Sequence, residues 1–248
     1  MSAVPAVAVR GLAKRYAAPV LDRVSLEVAP GELVALVGAS GAGKTTLFRC
    51  ITRLVEPDAG EIEVNGRALH AADGAELALA RREIGLVFQQ FNLIRRLSAV
   101  QNVLAGRLGH VPLWRVVSRR FARADRQLAL AALDRVGLLP QAYQRADSLS
   151  GGQQQRVAIA RVLAQQSRVI LADEPIASLD AANAAAMLSL FREIARERGI
   201  AVLCSLHQIE IAKAYADRVI GLAGGKVILD RAAHEFGDAD RVRLYGVS

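Results

Sequence analysis

The chain has 248 residues, of which 52% are hydrophobic and 23% charged, with a formal net charge of +8. That length and apolar content can bury a substantial core, which fits one large domain or one domain with an inserted lobe. The two cysteines, Cys50 and Cys204, stand in apolar stretches, and we expect buried, reduced thiols rather than a disulfide framework. No signal-peptide pattern and no apolar run of ~20 residues occurs, so any membrane role is expected to come through a partner.

The excess of basic residues raises the question of a nucleic-acid partner. Most of them are arginines scattered along the chain, with local density at Arg95, Arg96 and residues 107–126. No aromatic-interleaved or glycine-rich basic module accompanies them, so we expect no nucleic acid. A basic face near an anionic membrane surface is the functional alternative.

Short β-branched or leucine-rich runs alternate with helical stretches, which predicts an α/β fold around a central sheet. Asn65 and Gly66 predict a hairpin turn, so the early strands indicate an antiparallel portion beside a parallel core. The strands are expected over residues 6–12, 24–28, 33–37, 61–64, 84–88, 169–172, 201–205, 219–222 and 226–229.

The strand signals vanish between residues 91 and 149. Ala129, Leu133 and Val136 stand there at helical spacing. We therefore predict a single domain, residues 1–248, in which a helical subdomain (90–150) is inserted into a core formed by residues 1–89 and 151–248.

A phosphate-binding loop follows the strand at residues 33–37. Residues 38–46 read GASGAGKTT, a match to G-x-x-x-x-G-K-[ST], and an apolar helical pattern comes after them. The glycines let backbone N–H groups turn toward phosphate oxygens, Lys44 brings a cation to the β and γ phosphates, and Thr45 a hydroxyl to Mg²⁺. A glycine-rich structural turn is the alternative. The predicted nucleotide-binding residues are Gly38, Ser40, Gly41, Gly43, Lys44, Thr45 and Thr46.

A second strand, residues 169–172, ends in two adjacent acids, Asp173 and Glu174. Because successive strand residues point to opposite sides, the two carboxylates are expected to do different work. Asp173 can hold Mg²⁺ through water, and Glu174 can polarise the attacking water. An ordinary acidic strand end is the alternative.

A second glycine-rich helix start reads LSGGQQQR, residues 149–156, with Ser150 as the expected helix cap. In the order phosphate loop, this segment, then Asp-Glu, the chain resembles the ATP-binding-cassette (ABC) family, with a RecA-like core, an antiparallel β subdomain and an inserted helical subdomain. The resemblance implies that Ser150, Gly151, Gly152 and Gln153 bind the ATP of a partner subunit. A homodimer with two ATP sites follows.

The resemblance also implies roles for four further residues. Tyr16 corresponds to the aromatic that stacks on adenine, with an ordinary core or surface tyrosine as the alternative. Gln89 corresponds to the catalytic, Mg²⁺-sensing glutamine, although Gln90 is the rival position. His207 corresponds to the switch histidine at the γ-phosphate. Asp180, in a loop that crosses the dimer interface, is expected also to cap a helix.

A narrower likeness is to the ATPase subunit of bacterial phosphonate importers. Four stretches carry it: FQQFNLIRRL at 88–97, GRLG at 106–109 with the nearby Trp114 and Arg115, ADEPIASLD at 172–180, and LHQ at 206–208. The chain departs from the pattern at Ala39, a frequent proline, and at Cys204 and Ser205, where small β-formers such as valine and threonine are usual. Phosphite, another phosphorus oxyanion or a polar amino acid remain alternative substrates.

The likeness implies ATPase activity at the cytoplasmic face of the inner membrane, with transmembrane permease subunits as partners and a periplasmic substrate-binding protein acting indirectly. We expect the permease to dock on the surface from Phe91 toward Trp114. Leu93, Ile94 and Leu97 are its apolar candidates, and packing of these residues inside the lobe is the alternative.

Other classes that share these motifs are less favoured. Exporter-type and lipoprotein-releasing ATPases differ over residues 91–114. DNA-repair ATPases separate the phosphate loop from the signature by long coiled coils, which are missing between Lys44 and Ser150. Translation factors of this superfamily carry two cassettes in one chain. A purely structural nucleotide-binding protein would tolerate loss of Glu174 or His207.

Overall fold

The computed structural model describes residues 4–88, 91–112, 114–115, 121–177 and 179–246. An antiparallel sheet occupies the first part of the chain in the order β2-β1-β4-β5. Its strands are β1 (Val7–Arg15), β2 (Pro19–Val28), β4 (Ala59–Val64) and β5 (Arg67–Ala68). The predicted hairpin at Asn65 and Gly66 is confirmed: β4 pairs with β5 around these two residues, whose φ angles are 49° and 76°.

Strand β2 starts five residues earlier than the sequence pattern indicates. Register shifts interrupt its pairing with β1, and Arg23 has a φ of 51° within it. A bulge of this kind breaks the two-residue alternation, so the pattern exposes only the regular stretch from Val24 onward.

A second, mostly parallel sheet follows the order β10-β9-β3-β8-β7-β6. Among the strands in the described part of the chain, β10 alone runs antiparallel in this sheet, as a hairpin with β9. Every residue of β3, β7 and β8 is buried, as expected where helices cover both faces of parallel strands. The strands are β3 (Leu33–Val37), β6 (Ile84–Val87), β7 (Val169–Ala172), β8 (Ala201–Leu206), β9 (Arg218–Ala223) and β10 (Lys226–Ala232).

Successive residues of β3 face two different hydrophobic cores. Val34 and Leu36 pack with the antiparallel sheet and with helix α1 (Lys44–Ile51). Leu33, Ala35 and Val37 belong to the core on the opposite face.

The helices outside the lobe are α1, α2 (Gly74–Arg82), α6 (Ala181–Arg198), α7 (Ile209–Tyr215) and α8 (Asp238–Tyr245).

A helical lobe lies between β6 and β7. It contains α3 (Ala99–Leu104), a 3₁₀ helix (Ala105–His110) and α4 (Arg123–Arg135), which pack on α5 (Gly151–Gln165). Ala129, Leu133 and Val136 are buried, which confirms the helical spacing seen in the sequence. The α/β class with an inserted helical subdomain is therefore confirmed, while its exact limits at residues 90 and 150 stay a prediction.

Cys50 and Cys204 are both free and fully buried, as predicted. Burial raises the pKa of the Cys50 thiol to about 11 and that of Cys204 still further. None of the helices in the described ranges combines the length and apolar character that a bilayer crossing requires.

An ion pair buried in the lobe joins the 3₁₀ helix to α4 and α5. Arg107 Nε lies 3.0 Å from Asp125 Oδ1, and both residues are less than a tenth exposed. The Arg107 guanidinium also donates to Ala164 O at 3.0 Å and to Gln166 Oε1 at 2.9 Å. One side chain thus holds three parts of the lobe together.

Arg107→Met should lower the free energy of unfolding by about 3–5 kcal/mol, because it leaves the Asp125 carboxylate buried without its partner. Denaturant titration measures the loss. The double variant Arg107→Met/Asp125→Ala removes the stranded charge and should lose less than the single variant. A larger loss in the double variant would contradict the assigned role of the pair.

Candidate active site

The phosphate loop connects the carboxyl end of β3 to the first turn of α1. Gly41 and Gly43 have φ angles of 80° and 107°, a region that favours glycine. Within the described ranges, the amides of Lys44, Thr45 and Thr46 at the start of α1 have no hydrogen-bond partner. Unpaired donors at a helix N-terminus form a site for an anion such as phosphate.

The Lys44 side chain curls back over this loop. Its Nζ donates to Gly38 O at 2.7 Å and to Ala39 O at 3.2 Å, and the residue is only 5% exposed. Burial lowers the pKa of the Lys44 ammonium, and the negative charges of Glu174 and Asp173 oppose that shift. The cation therefore lies inside the anion site, within electrostatic reach of both acids, and phosphate oxygens can replace the two carbonyls as its acceptors.

The two acids follow β7 and have different partners. Asp173 is buried and accepts a hydrogen bond on Oδ1 from the Ser205 hydroxyl at 2.9 Å. Glu174 has a φ of 49° and donates its backbone N–H to Ser205 Oγ at 2.8 Å. Ser205 lies on β8, the strand next to β7.

His207 comes directly after β8 and contacts the Glu174 side chain. Its Nε2 lies 2.5 Å from Glu174 Oε1. An imidazole with its proton on Nε2 can donate it to this carboxylate oxygen. The carboxyl ends of β3, β7 and β8 thus gather the phosphate loop, the acidic pair and the histidine at one edge of the sheet.

The signature segment begins α5 with the cap that the sequence predicts. Gln153 N donates to Ser150 Oγ at 3.3 Å, and Ser150 N donates to Gln153 Oε1 at 2.9 Å, which forms a capping box. Gly151 is exposed, and a Cβ placed there would meet no atom within 4 Å. No hydrogen bond among the described residues joins this segment to the phosphate loop.

The remaining predicted residues differ in what the structure shows of them. Asp180 caps α6 by accepting from Asn183 N at 2.9 Å, as predicted, and that bond is the main cause that lowers the pKa of Asp180. Tyr16 is 53% exposed just after β1, with Lys14 Nζ 5.5 Å from its ring centroid. Gln89, its rival Gln90 and Ser178 lie outside the described residues.

Comparisons with known proteins agree with this arrangement. The "ABC transporter" family model matches residues 21–177, well over half of the chain. The chain belongs to the ABC transporter family. As an ABC ATPase it binds ATP, and its hydrolysis of ATP is coupled to transport.

Individual relatives of this cassette match over nearly its whole length. A phosphonates import ATP-binding protein of Frankia casuarinae is 50% identical over 95% of this chain and 92% of its own. A hypophosphite import ATP-binding protein of Stutzerimonas stutzeri is 47% identical over 92% of this chain and 67% of its own. A solved dimeric ATP-binding cassette, bound to ADP and Pi, superposes with a TM-score of 0.79 at 34% identity, covering 93% of this chain and 100% of that one.

Two contacts of this cassette were not predicted from its sequence. Ser205 appeared only as a departure from the usual residue type, without a partner. Arg161, on α5, donates to Phe91 O at 3.0 Å and to Asn92 O at 2.8 Å. Arg161 belongs to the helix that begins with the signature. No local sequence pattern indicates that its side chain contacts carbonyls about 70 residues earlier in the chain.

Gly43→Ala should weaken ATP binding at least ~10-fold, a loss of about 1.4 kcal/mol. An added Cβ would lie 2.9 Å from both Val20 O and Leu21 Cδ2, at a φ that strains any L-residue, so the loop must shift. Gly41→Ala is the matched variant: its φ of 80° also strains an L-residue, but the added Cβ would meet no atom within 4 Å, so this variant should lose less. Equilibrium binding of ATP to both variants measures this. Equal affinities would contradict a steric requirement at position 43.

Proposed function

We propose that this chain is the ATPase subunit of an importer that takes up phosphonate across the inner membrane. The observation that supports hydrolysis is the gathering of Lys44, Glu174 and His207 where β3, β7 and β8 end. Support for phosphonate comes from the four sequence stretches and from the relatives named for phosphonate import. Hypophosphite is the second candidate, because a relative of comparable identity is named for its import.

Hydrolysis requires a base for water and a cation for the phosphates. In this proposal Glu174 accepts a proton from water, whose oxygen bonds to the γ-phosphorus while the bond to the β–γ bridging oxygen breaks and ADP leaves. His207 holds Oε1 of Glu174, and within the described residues Oε2 has no hydrogen-bond partner and is available to the water. Lys44 stabilises the charge that develops on the phosphate oxygens.

Two oxygen groups suit a magnesium ion beside the nucleotide. The Thr45 hydroxyl, in the first turn of α1, and Asp173 Oδ2 have no hydrogen-bond partner in the described part of the chain. Mg²⁺ prefers such oxygens and completes its shell with water and substrate phosphates. When bound, it neutralises charge on the β and γ phosphates. Gln89 completes the proposed set.

We further propose a homodimer in which each ATP lies between one phosphate loop and the partner's signature. The amides of Gly151, an exposed residue, and of the partly buried Gly152 lie at the start of α5 and suit an anion supplied by another chain. Tyr16 and Asp180 are proposed at the adenine and at the dimer interface. Such a dimer would work at the cytoplasmic face of the membrane, beneath the permease subunits that receive the substrate from a periplasmic binding protein.

Glu174→Gln should retain ATP binding and lose at least ~10²-fold in ATP hydrolysis, the scale of a lost general base. Because the γ-phosphate is then not removed, ATP should hold this variant as a dimer. Phosphate release and sedimentation velocity, with and without Mg-ATP, measure the two effects. Hydrolysis near the wild-type rate, or a monomer at saturating Mg-ATP, would contradict the assignment.

The permease is proposed to dock on an apolar groove of the helical lobe. The groove has a volume of about 430 Å³ and is lined by residues that include Ile94, Leu97, Leu104, Leu108 and Tyr143. Ile94 is 56% exposed and Tyr143 78%. Leu93 does not line this groove: its side chain is partly buried and packs against the hydrophobic core, so its expected contact with the permease stays a prediction. The groove therefore starts at Ile94.

Ile94→Asp should abolish co-purification with the permease and leave the basal ATPase rate of the isolated subunit unchanged. A charge placed in the groove cannot be desolvated by an apolar partner helix. Leu54→Asp is the matched control, since Leu54 is 55% exposed and lies outside the groove. Retained co-purification of the Ile94 variant, with transport unaffected, would place the docking surface elsewhere.

A further inference from the structure

We propose that Ser205 is a positioning residue for ATP hydrolysis, which holds both acids of the site through one hydroxyl group. Its Oγ accepts the backbone N–H of Glu174 at 2.8 Å and donates to Asp173 Oδ1 at 2.9 Å. This inference rests on the proposed catalytic roles of Asp173 and Glu174. It assigns a function to a position where the sequence departs from the usual small β-formers.

The first contact fixes an unfavourable backbone. Glu174 has a φ of 49°, a left-handed conformation that is costly for a residue with a Cβ. Such a conformation persists only where surrounding contacts determine it. The hydrogen bond from Glu174 N to Ser205 Oγ is such a contact, and it sets the direction in which the Glu174 side chain leaves the strand toward His207.

The second contact fixes the orientation of the neighbouring carboxylate. A hydroxyl has a single proton, which Ser205 donates to Asp173 Oδ1, while its lone pairs accept from Glu174. One carboxylate oxygen is thereby fixed and Oδ2 is left for other ligands. Valine or alanine offers neither contact.

Burial makes these contacts hard to replace. Ser205 is 0% exposed on β8, which is paired with β3 on one side and β7 on the other. Both contacts of its hydroxyl are therefore made inside the sheet. Ser205→Ala would leave a backbone donor and a carboxylate oxygen without partners in a buried strand end.

The test compares Ser205→Ala with Ser167→Ala, a matched removal of a buried hydroxyl whose partner is Val162 O, away from the acids. For Ser205→Ala we expect kcat for ATP to fall roughly 10- to 100-fold, the range for lost bonds to a charged group. The KM for Mg-ATP and the affinity for ATP in EDTA should change less than ~3-fold, and the Mg²⁺ concentration for half-maximal rate should rise. Ser167→Ala should leave all four values near wild type.

Two results would overturn the proposal. One is a kcat for Ser205→Ala equal to that of Ser167→Ala, and the other is an ATP affinity in EDTA that falls as far as kcat, which indicates general damage. If Ser205→Ala does not fold, Ser205→Cys preserves the shape with a weak donor and is judged by the same criteria. Glu174→Gln is measured in parallel: if it is inactive while Ser205→Ala is normal, the proposed ATPase mechanism stands and only the role of Ser205 fails, whereas an active Glu174→Gln refutes the mechanism itself.

Discussion

Parallel pairing of β3, β8 and β7 is the constraint on which the site depends. Parallel strands end at the same edge of a sheet, so groups that are far apart in sequence meet there. Lys44 follows the end of β3, Glu174 the end of β7 and His207 the end of β8. Strand β8 lies between β3 and β7 and connects the groups of the site. It carries the Ser205 hydroxyl that joins the two acids, and it leads directly into His207, which contacts Glu174.

The two faces of β3 connect this edge to the rest of the molecule. One face packs against α1 and the antiparallel sheet, and the other against the core that contains the buried residues of α5 and α6. The close approach of Gly43 to Val20 continues the first of these contacts into the phosphate loop itself. The loop is thus backed by a second sheet, which limits how far it can move when a nucleotide binds.

Sequence reasoning succeeded where a local pattern determines the structure. The phosphate loop, the acids after an apolar strand and the Ser150 cap depend on residue types within a few positions of one another. It was incomplete where the chain deviates from regular pairing, as at Arg23, where a bulge hides the start of β2.

Contacts between distant segments were the second gap. The pairing of Ser205 with the acids requires the strand order, and the packing of Leu93 against the core requires the shape of the lobe. The sequence shows which residues of that segment are apolar. It does not show which of them pack against the core and which line a groove. The sequence therefore does not distinguish Ile94, which is 56% exposed, from Leu93, which packs partly buried against the core.

The contact of Arg161 with Phe91 and Asn92 ties α5 to the turn formed by these two residues. The two carbonyls belong to residues with left-handed φ angles of 56° and 46°, so the arginine holds a turn of fixed shape. Arg161 is ten residues from the start of α5, an arm of about 15 Å, so a tilt of about 10° at the turn would carry Gly151 by about 3 Å. A displacement of that size exceeds the tolerance of a hydrogen bond. A small rotation of this turn would therefore displace the start of α5 far enough to break a hydrogen bond made there.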